Sequence, residues 1–166
     1  MPDPQRMVIN TGPLIALVAG LGNLNLLRVL YREVVVPHEV CQEIFAGGPT
    51  GFAMSEFKEA IWLKKWPASI EINSFLANSL DRGEASVIQL ALNEKIQTVC
   101  IDEPVGRRIA RLSGLSLTGS IGILIRAQKE GHLPSLRPVI ERMRKNGVWL
   151  SERVVSFALQ QVGETT

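Results

Sequence analysis

The chain has 166 residues, 46% hydrophobic and 20% charged, which is enough apolar mass for one sizeable core and too little length for two domains with separate cores. Gly and Pro are scattered without a low-complexity linker or an internal repeat, so disorder is expected only at the ends, in residues 1–6 and 163–166. The leading MPDPQR lacks a secretory signal's charged lead and long apolar run, and Pro13 to Leu21 is too short to span a bilayer, which predicts a soluble, cytoplasmic protein without membrane contact.

Cys41 and Cys100 have no C-x-x-C spacing and only His38 and His132 as imidazole companions, so buried reduced thiols are expected rather than a zinc site. The net charge of +2 conceals an asymmetry: residues 1–103 hold eight Lys and Arg against twelve Asp and Glu, whereas residues 104–153 hold ten against three. An acidic part followed by a basic part suits a metal site beside a phosphate-binding surface, although a basic helix face is equally at home in water.

In chain order, Met7-Val8-Ile9-Asn10 is a short apolar run that stops at Thr11-Gly12-Pro13, and Leu14, Ile15, Leu17 and Val18 then fall at helical spacing. This predicts strand, tight turn, helix. Asn23 is placed to cap a second helix carrying Leu24, Leu26, Leu27 and Leu30. Val34-Val35-Val36 before Pro37 reads as a buried strand, and His38 to Phe45 opens a third helix with Val40 and Ile44 on one face and Gly47-Gly48-Pro49 ending it. Gly51 to Ile61 suits a short helix in an insertion, and Ile61 to Trp66 a strand. Asp81 can cap a helix carrying Ala85, Ile88, Ala91 and Leu92. The strand Thr98-Val99-Cys100-Ile101, a helix with Ile109 and Leu112, and the strand Leu115-Ser116-Leu117 follow. Three helices close the chain, marked by Ile121, Leu124 and Ile125, by Leu136, Val139, Ile140 and Met143, and by Val154, Val155, Ala158, Leu159 and Val162. Short apolar strands alternating with helices predict a parallel sheet covered on both faces. The stretch Gly20-Leu21-Gly22-Asn23-Leu24-Asn25 lacks the third glycine of a dinucleotide-binding loop and follows a helix instead of a strand, which argues against that site.

Ligands in such folds gather at the carboxyl ends of the strands. Two strand ends carry polar groups, Asn10-Thr11-Gly12 and Asp102-Glu103, and two helix-borne acids, Glu43 and Glu84, stand beside apolar positions rather than within a charged face. Each has an ordinary use alone. Asn10-Thr11-Gly12 suits a turn with Asn left-handed or capping. Glu43 suits a solvated helix face, Glu84 a first-turn acid facing the helix dipole, and Asp102 the N-cap of the helix that Pro104 begins. Ser120 reads as a helix cap, and Trp62, Trp66 and Trp149 as core residues, with stacking on unpaired bases as their other use. Arg107, Arg108 and Arg111 are candidate phosphate contacts, or a solvated face, or partners for the acids.

Taken in order and spacing, these positions resemble the PIN-domain family, and the likeness covers nearly the whole chain. Val8-Ile9-Asn10-Thr11 is similar to the family's first motif, a strand ending in Asp before Thr or Ser, with Asn in place of Asp. Glu43 matches the second acid on its helix. Gly83-Glu84-Ala85-Ser86-Val87-Ile88-Gln89-Leu90-Ala91 matches the third, which opens an Ala-rich helix, with Glu for the usual Asp, and Asp102 matches the fourth, after the next strand. Thr118-Gly119-Ser120-Ile121-Gly122 and the three closing helices resemble a prokaryotic branch of PIN-like proteins rather than the best-studied toxins.

The resemblance implies an α/β fold, a three-layer α/β/α sandwich around a central parallel sheet. It implies a single domain over residues 1–166, with residues 119–162 a helical C-terminal extension. It further implies that Asn10, Glu43, Glu84 and Asp102, with Glu103 beside them, hold Mg2+ or Mn2+ for hydrolysis of RNA, with single-stranded DNA as a second candidate and Thr11 among the nucleic-acid contacts. Many members are toxins of toxin–antitoxin modules, so an antitoxin partner is an expectation. A homodimer is another, because the closing helices offer more apolar surface than a small sheet needs.

Magnesium favours hard oxygen ligands and keeps several waters, so a few carboxylates on a rigid scaffold suffice, and the cation lowers the pKa of a bound water. Without it, two carboxylates roughly 5 Å apart at an effective dielectric of about 20 repel by about 3 kcal/mol. A raised carboxylate pKa or a captured basic side chain is then expected. Asn10 leaves the four positions with three formal negative charges instead of four. That predicts weak one-metal binding with slow or absent cleavage, and opens the alternative of a catalytically weakened module acting through nucleic-acid or protein binding.

Overall fold

The computed structural model describes residues 5–47 and 52–164. The expected helix stop at Gly48-Pro49, the start of the insertion at Gly51, and the outermost end residues lie outside these. The chain runs β1 (Arg6–Ile9), α1 (Thr11–Leu21), α2 (Asn25–Leu30), β2 (Glu33–Val36), α3 (His38–Phe45), α4 (Met54–Glu59), β3 (Lys64–Lys65) and α5 (Ser74–Ser79). It continues through α6 (Arg82–Glu94), β4 (Thr98–Cys100), α7 (Pro104–Leu112), β5 (Ser116–Thr118), α8 (Ser120–Lys129), α9 (Arg137–Lys145) and α10 (Glu152–Gln161).

The strands form one five-stranded, all-parallel sheet in the order β3-β2-β1-β4-β5. Val8 pairs with Val35 on one side and Val99 on the other, and Met7, Val8, Ile9, Val35, Val36, Val99 and Cys100 are wholly buried. Right-handed crossovers place helices on both faces of such a sheet, which is why its inner strands are continuous apolar runs instead of alternating ones. Both cysteines are buried free thiols. The α/β/α sandwich is therefore the architecture.

Both edges are short. The strand expected over Ile61 to Trp66 shrinks to Lys64–Lys65 because turn bonds, Ile61 N–H to Glu59 O and Leu63 N–H to Ala60 O, occupy the preceding backbone. Lys64 stands 3.8 Å from Glu33 at this edge, and a charge there discourages pairing with another chain. Helix α5 had no clear sequence signal: six residues with one buried apolar side chain, Leu76, held by Asn73 accepting from the Leu76 N–H. Asn23 sits one residue earlier than a true cap. Its Oδ1 accepts from the Asn25 N–H at 3.0 Å, while Leu24 takes the cap position. Asp81 does cap α6, accepting from the Glu84 N–H at 2.8 Å.

The closing helices share the sheet's core. Ile123, Leu136, Met143 and Ala158 belong to the same buried cluster as Met7 and Val99. Helix α9 packs along α1, and its Arg142 Nε and Asn146 Nδ2 donate to the Gly20 and Ala19 carbonyls at 2.7 and 3.0 Å. These two side chains satisfy carbonyls that the end of α1 would otherwise leave open. Gly20 permits the approach: a Cβ there would stand 2.7 Å from Met143 Cγ and 2.8 Å from Val139 Cγ1. Gly20→Ala should destabilise the fold by about 1–3 kcal/mol through overpacking, outweighing a helix-propensity gain of about 1 kcal/mol. Urea unfolding reads this directly, and an unchanged or higher midpoint would mean that α9 moves away at no cost.

Candidate active site

The strand order reverses at β1, whose chain proceeds to β2 on one side while β4 arrives on the other. The crevice outside the carboxyl ends of β1 and β4 is the place where such sheets bind ligands. Asn10 ends β1 and Asp102 follows β4, and the two strand ends are joined by the Asn10 N–H donating to Cys100 O at 3.0 Å. Asn10 is only 7% exposed and takes the N-cap position of α1, but with extended backbone (φ −87°) and no side-chain capping bond, so the left-handed reading does not hold and its amide is not used on the helix end.

The other residues come to the crevice from separate elements. Glu43, on α3, accepts from Thr11 Oγ1 at 3.1 Å, so the threonine hydroxyl holds an acid rather than a helix end. Glu84, in the first turn of α6, is 7% exposed. Asp102 is not the cap of α7. Its Oδ1 accepts from the Ser120 N–H at 2.8 Å and its Oδ2 from Ser120 Oγ at 2.9 Å, a two-point clamp that also replaces the capping role expected of Ser120. Glu103 occupies the N-cap position of α7 without a side-chain capping bond. Arg107 Nη1 donates to the carbonyls of Ile101 and Thr118, at 2.8 and 3.2 Å, and so ties the ends of β4 and β5 together. Arg108 and Arg111 are exposed on α7, without ion pairs among the described residues.

Three glycines make room for three acids. A side chain at Gly83 would overlap the Glu43 carboxylate and lie 3.4 Å from Asn10 Oδ1, which shows these two groups converging. A Cβ at Gly106 would stand 2.8 Å from Glu84 Oε2, and one at Gly119 would stand 2.7 Å from Asp102 Oδ1. A glycine within a helix turn is costly, so Gly83 and Gly106 were the signal that sequence reading passed over. Asp81, read from the sequence only as a helix cap, also acts by its charge on both Glu43 and Glu84. A further buried acid, Glu39, is 3% exposed on α3 one helical turn before Glu43, and neither of its carboxylate oxygens has a hydrogen-bond partner among the described residues.

The electrostatics follow from this crowding. Burial raises the Glu43 carboxyl above its ordinary range and Asp81 adds to this, against the opposing bond from Thr11. Burial, then Asp81, Glu103 and Glu43, push Glu84 up to about 8.

A family model described as a PIN domain matches residues 6–164, helices α8 to α10 included. The chain belongs to the PIN-domain family. No curated protein matches its sequence. PIN domains have a nuclease-like fold and generally use divalent metals. In this PIN domain the crevice offers oxygen donors from an amide and carboxylates, with neither thiol nor imidazole among them, and a carboxyl whose pKa is raised by burial and then by neighbouring acids. That donor set fits a hard divalent cation. Among the described residues no three His, Cys, Asp or Glu side chains lie close enough to enclose one as they stand.

The raised Glu84 carboxyl sets a pH dependence. Between its ordinary value of 4.5 and about 8, the folded chain retains a proton that the unfolded chain has released. The folded state then binds more protons, so stability falls as pH rises through that window. In EDTA, the melting temperature of the wild type should decline from pH 5 to pH 8, and Glu84→Gln should flatten the decline. Parallel curves for the two proteins would remove Glu84 as its source.

Proposed function

We propose that this PIN domain is a Mg2+- or Mn2+-dependent endoribonuclease that hydrolyses phosphodiester bonds. The observation that carries the reading is the convergence at the switch point of buried Asn10 and Glu84 with Glu43, the last two in space left by Gly106 and Gly83, with Asp81 and Glu103 near enough to act on Glu84. Asn10, Glu43, Glu84 and Asp102 are the proposed ligands, with Glu103 at the rim. A bound divalent cation would supply charge against the attacked phosphate and a more acidic water.

The chain's own groups orient this set. Thr11 aims the Glu43 carboxylate, and Ser120 fixes Asp102 through one lone pair on each oxygen, leaving the others available. Arg107 keeps the ends of β4 and β5 at constant separation, and Arg108 and Arg111 are placed to attract the phosphate backbone. Within this reading the chain acts in the cytoplasm, RNA is the substrate and single-stranded DNA the alternative. An antitoxin partner would make the activity a regulated toxin, and the exposed Val105 and Leu112 of α7 offer an apolar contact for a homodimer.

Asn10 favours a second reading. Its neutral amide leaves the cluster one charge short, and a PIN domain so weakened would act through binding. A mixed labelled RNA pool incubated with Mg2+ or Mn2+, against EDTA, separates the two. Cleavage by the wild type should depend on metal, fall at least about a hundredfold in Asp102→Asn, and rise in Asn10→Asp. Cleavage by Asn10→Asp alone would assign the natural chain to the binding role. A persistent, metal-independent activity in Asp102→Asn would mark a contaminant and oppose the nuclease reading.

A further inference from the structure

A cavity of about 610 Å³ adjoins the acids: Asp102 and Glu103 share its lining with Ile121, Trp149, Val154 and Phe157. Its size suits a small planar ligand, and its walls are apolar around a few polar groups, which is how ligand pockets are generally built. Trp149, expected in the core, is 84% exposed, and Phe157 is 54% exposed. Trp149 also lines a second hollow of about 390 Å³ with Arg144 and Glu152, so the indole stands as a ridge between two recesses. The segment around it is held in place: Arg144 donates to Leu150 O and to Glu152, at 3.0 and 2.9 Å, and Ser151 caps α10 by accepting from the Val154 N–H. An exposed aromatic ring on a fixed backbone keeps its stacking surface at little entropic cost.

We infer that this groove is a nucleobase subsite, in which Trp149 stacks on an unpaired base next to the phosphate held at the acids. The inference rests on the nuclease reading and adds the part of the substrate recognised beyond that phosphate. Two observations select a base over other apolar occupants. Asp102 itself lines the groove, so a polynucleotide held at the acids has its neighbouring nucleotide beside it. Arg107 also lines the groove beside Asp102, a cation within reach of the phosphate that joins such a nucleotide to the next. A base within a duplex cannot reach the indole, so the groove selects single-stranded segments.

The test is fluorescence anisotropy with a labelled single-stranded RNA octamer, an abasic strand of the same length and a duplex, in EDTA and with Ca2+. The wild type should bind the base-bearing strand most tightly. Trp149→Ala should weaken that binding roughly tenfold and leave the abasic strand unaffected, and Trp149→Phe should restore most of it. Equal binding of the base-bearing strand by wild type and Trp149→Ala overturns the inference, as does equal wild-type affinity for the abasic strand. A Trp149→Ala chain that loses self-association in sedimentation while binding RNA normally assigns the groove to a second copy and overturns it too. The readout is binding, so a chain that stacks bases through Trp149 without ever cleaving fails the nuclease reading and leaves the subsite standing. Because Trp149 is exposed, the alanine variant should melt with the wild type.

Discussion

The site depends on the burial of one carboxyl, Glu84, among other acids gathered where β1 and β4 end. Glu84 is buried there beside Asp81, Glu103 and Glu43, and its proton is retained to about 8 as the least costly way to keep the charge low. Much of the nearby structure serves to keep these groups in place. Asp81 holds the start of α6, Thr11 holds Glu43, Ser120 holds Asp102, and Gly83, Gly106 and Gly119 leave the space that the side chains occupy. Glu84 is the acid among them with no such hydroxyl partner and the largest burial cost, and it is the one whose charge a divalent cation would most relieve.

The sheet was legible because its inner strands are buried on both faces and therefore read as unbroken apolar runs: Met7 to Ile9, Val34 to Val36, Thr98 to Cys100. The edges were less so. Lys64–Lys65 carries almost no pattern, and α5 buries only Leu76, so neither the two-residue strand nor the six-residue helix leaves a periodic trace. Asn10, Glu43, Glu84 and Asp102 were readable as candidates from their places after strands and at helix starts. How each is held was not, because Thr11 to Glu43 and Ser120 to Asp102 are bonds across 32 and 18 residues of chain. Trp149 misled for a related reason: tryptophan content favours burial, and only the packing of α9 and α10 around residues 147–151 shows the ring left outside.

The closing helices link stability to the site. Helix α9 is locked to α1 through Gly20, Arg142 and Asn146, while α8 begins at the serine that clamps Asp102. The helix that follows Asn10 thus packs against both α9 and α8, the helix that holds Asp102. Among the described residues no helix is long and apolar enough to cross a membrane.

The most direct test of the central claim is the proton count of metal binding. Calorimetric titration of Mn2+ at pH 7, in buffers of different ionisation enthalpy, reports how many protons leave as the cation enters. A Glu84 that keeps its proton to about 8 should surrender it to the metal, giving release of about one proton per ion in the wild type and almost none in Glu84→Gln. Binding without proton release, or no binding in wild type and Asn10→Asp alike, would contradict the view that this acidic crevice is held ready for a cation.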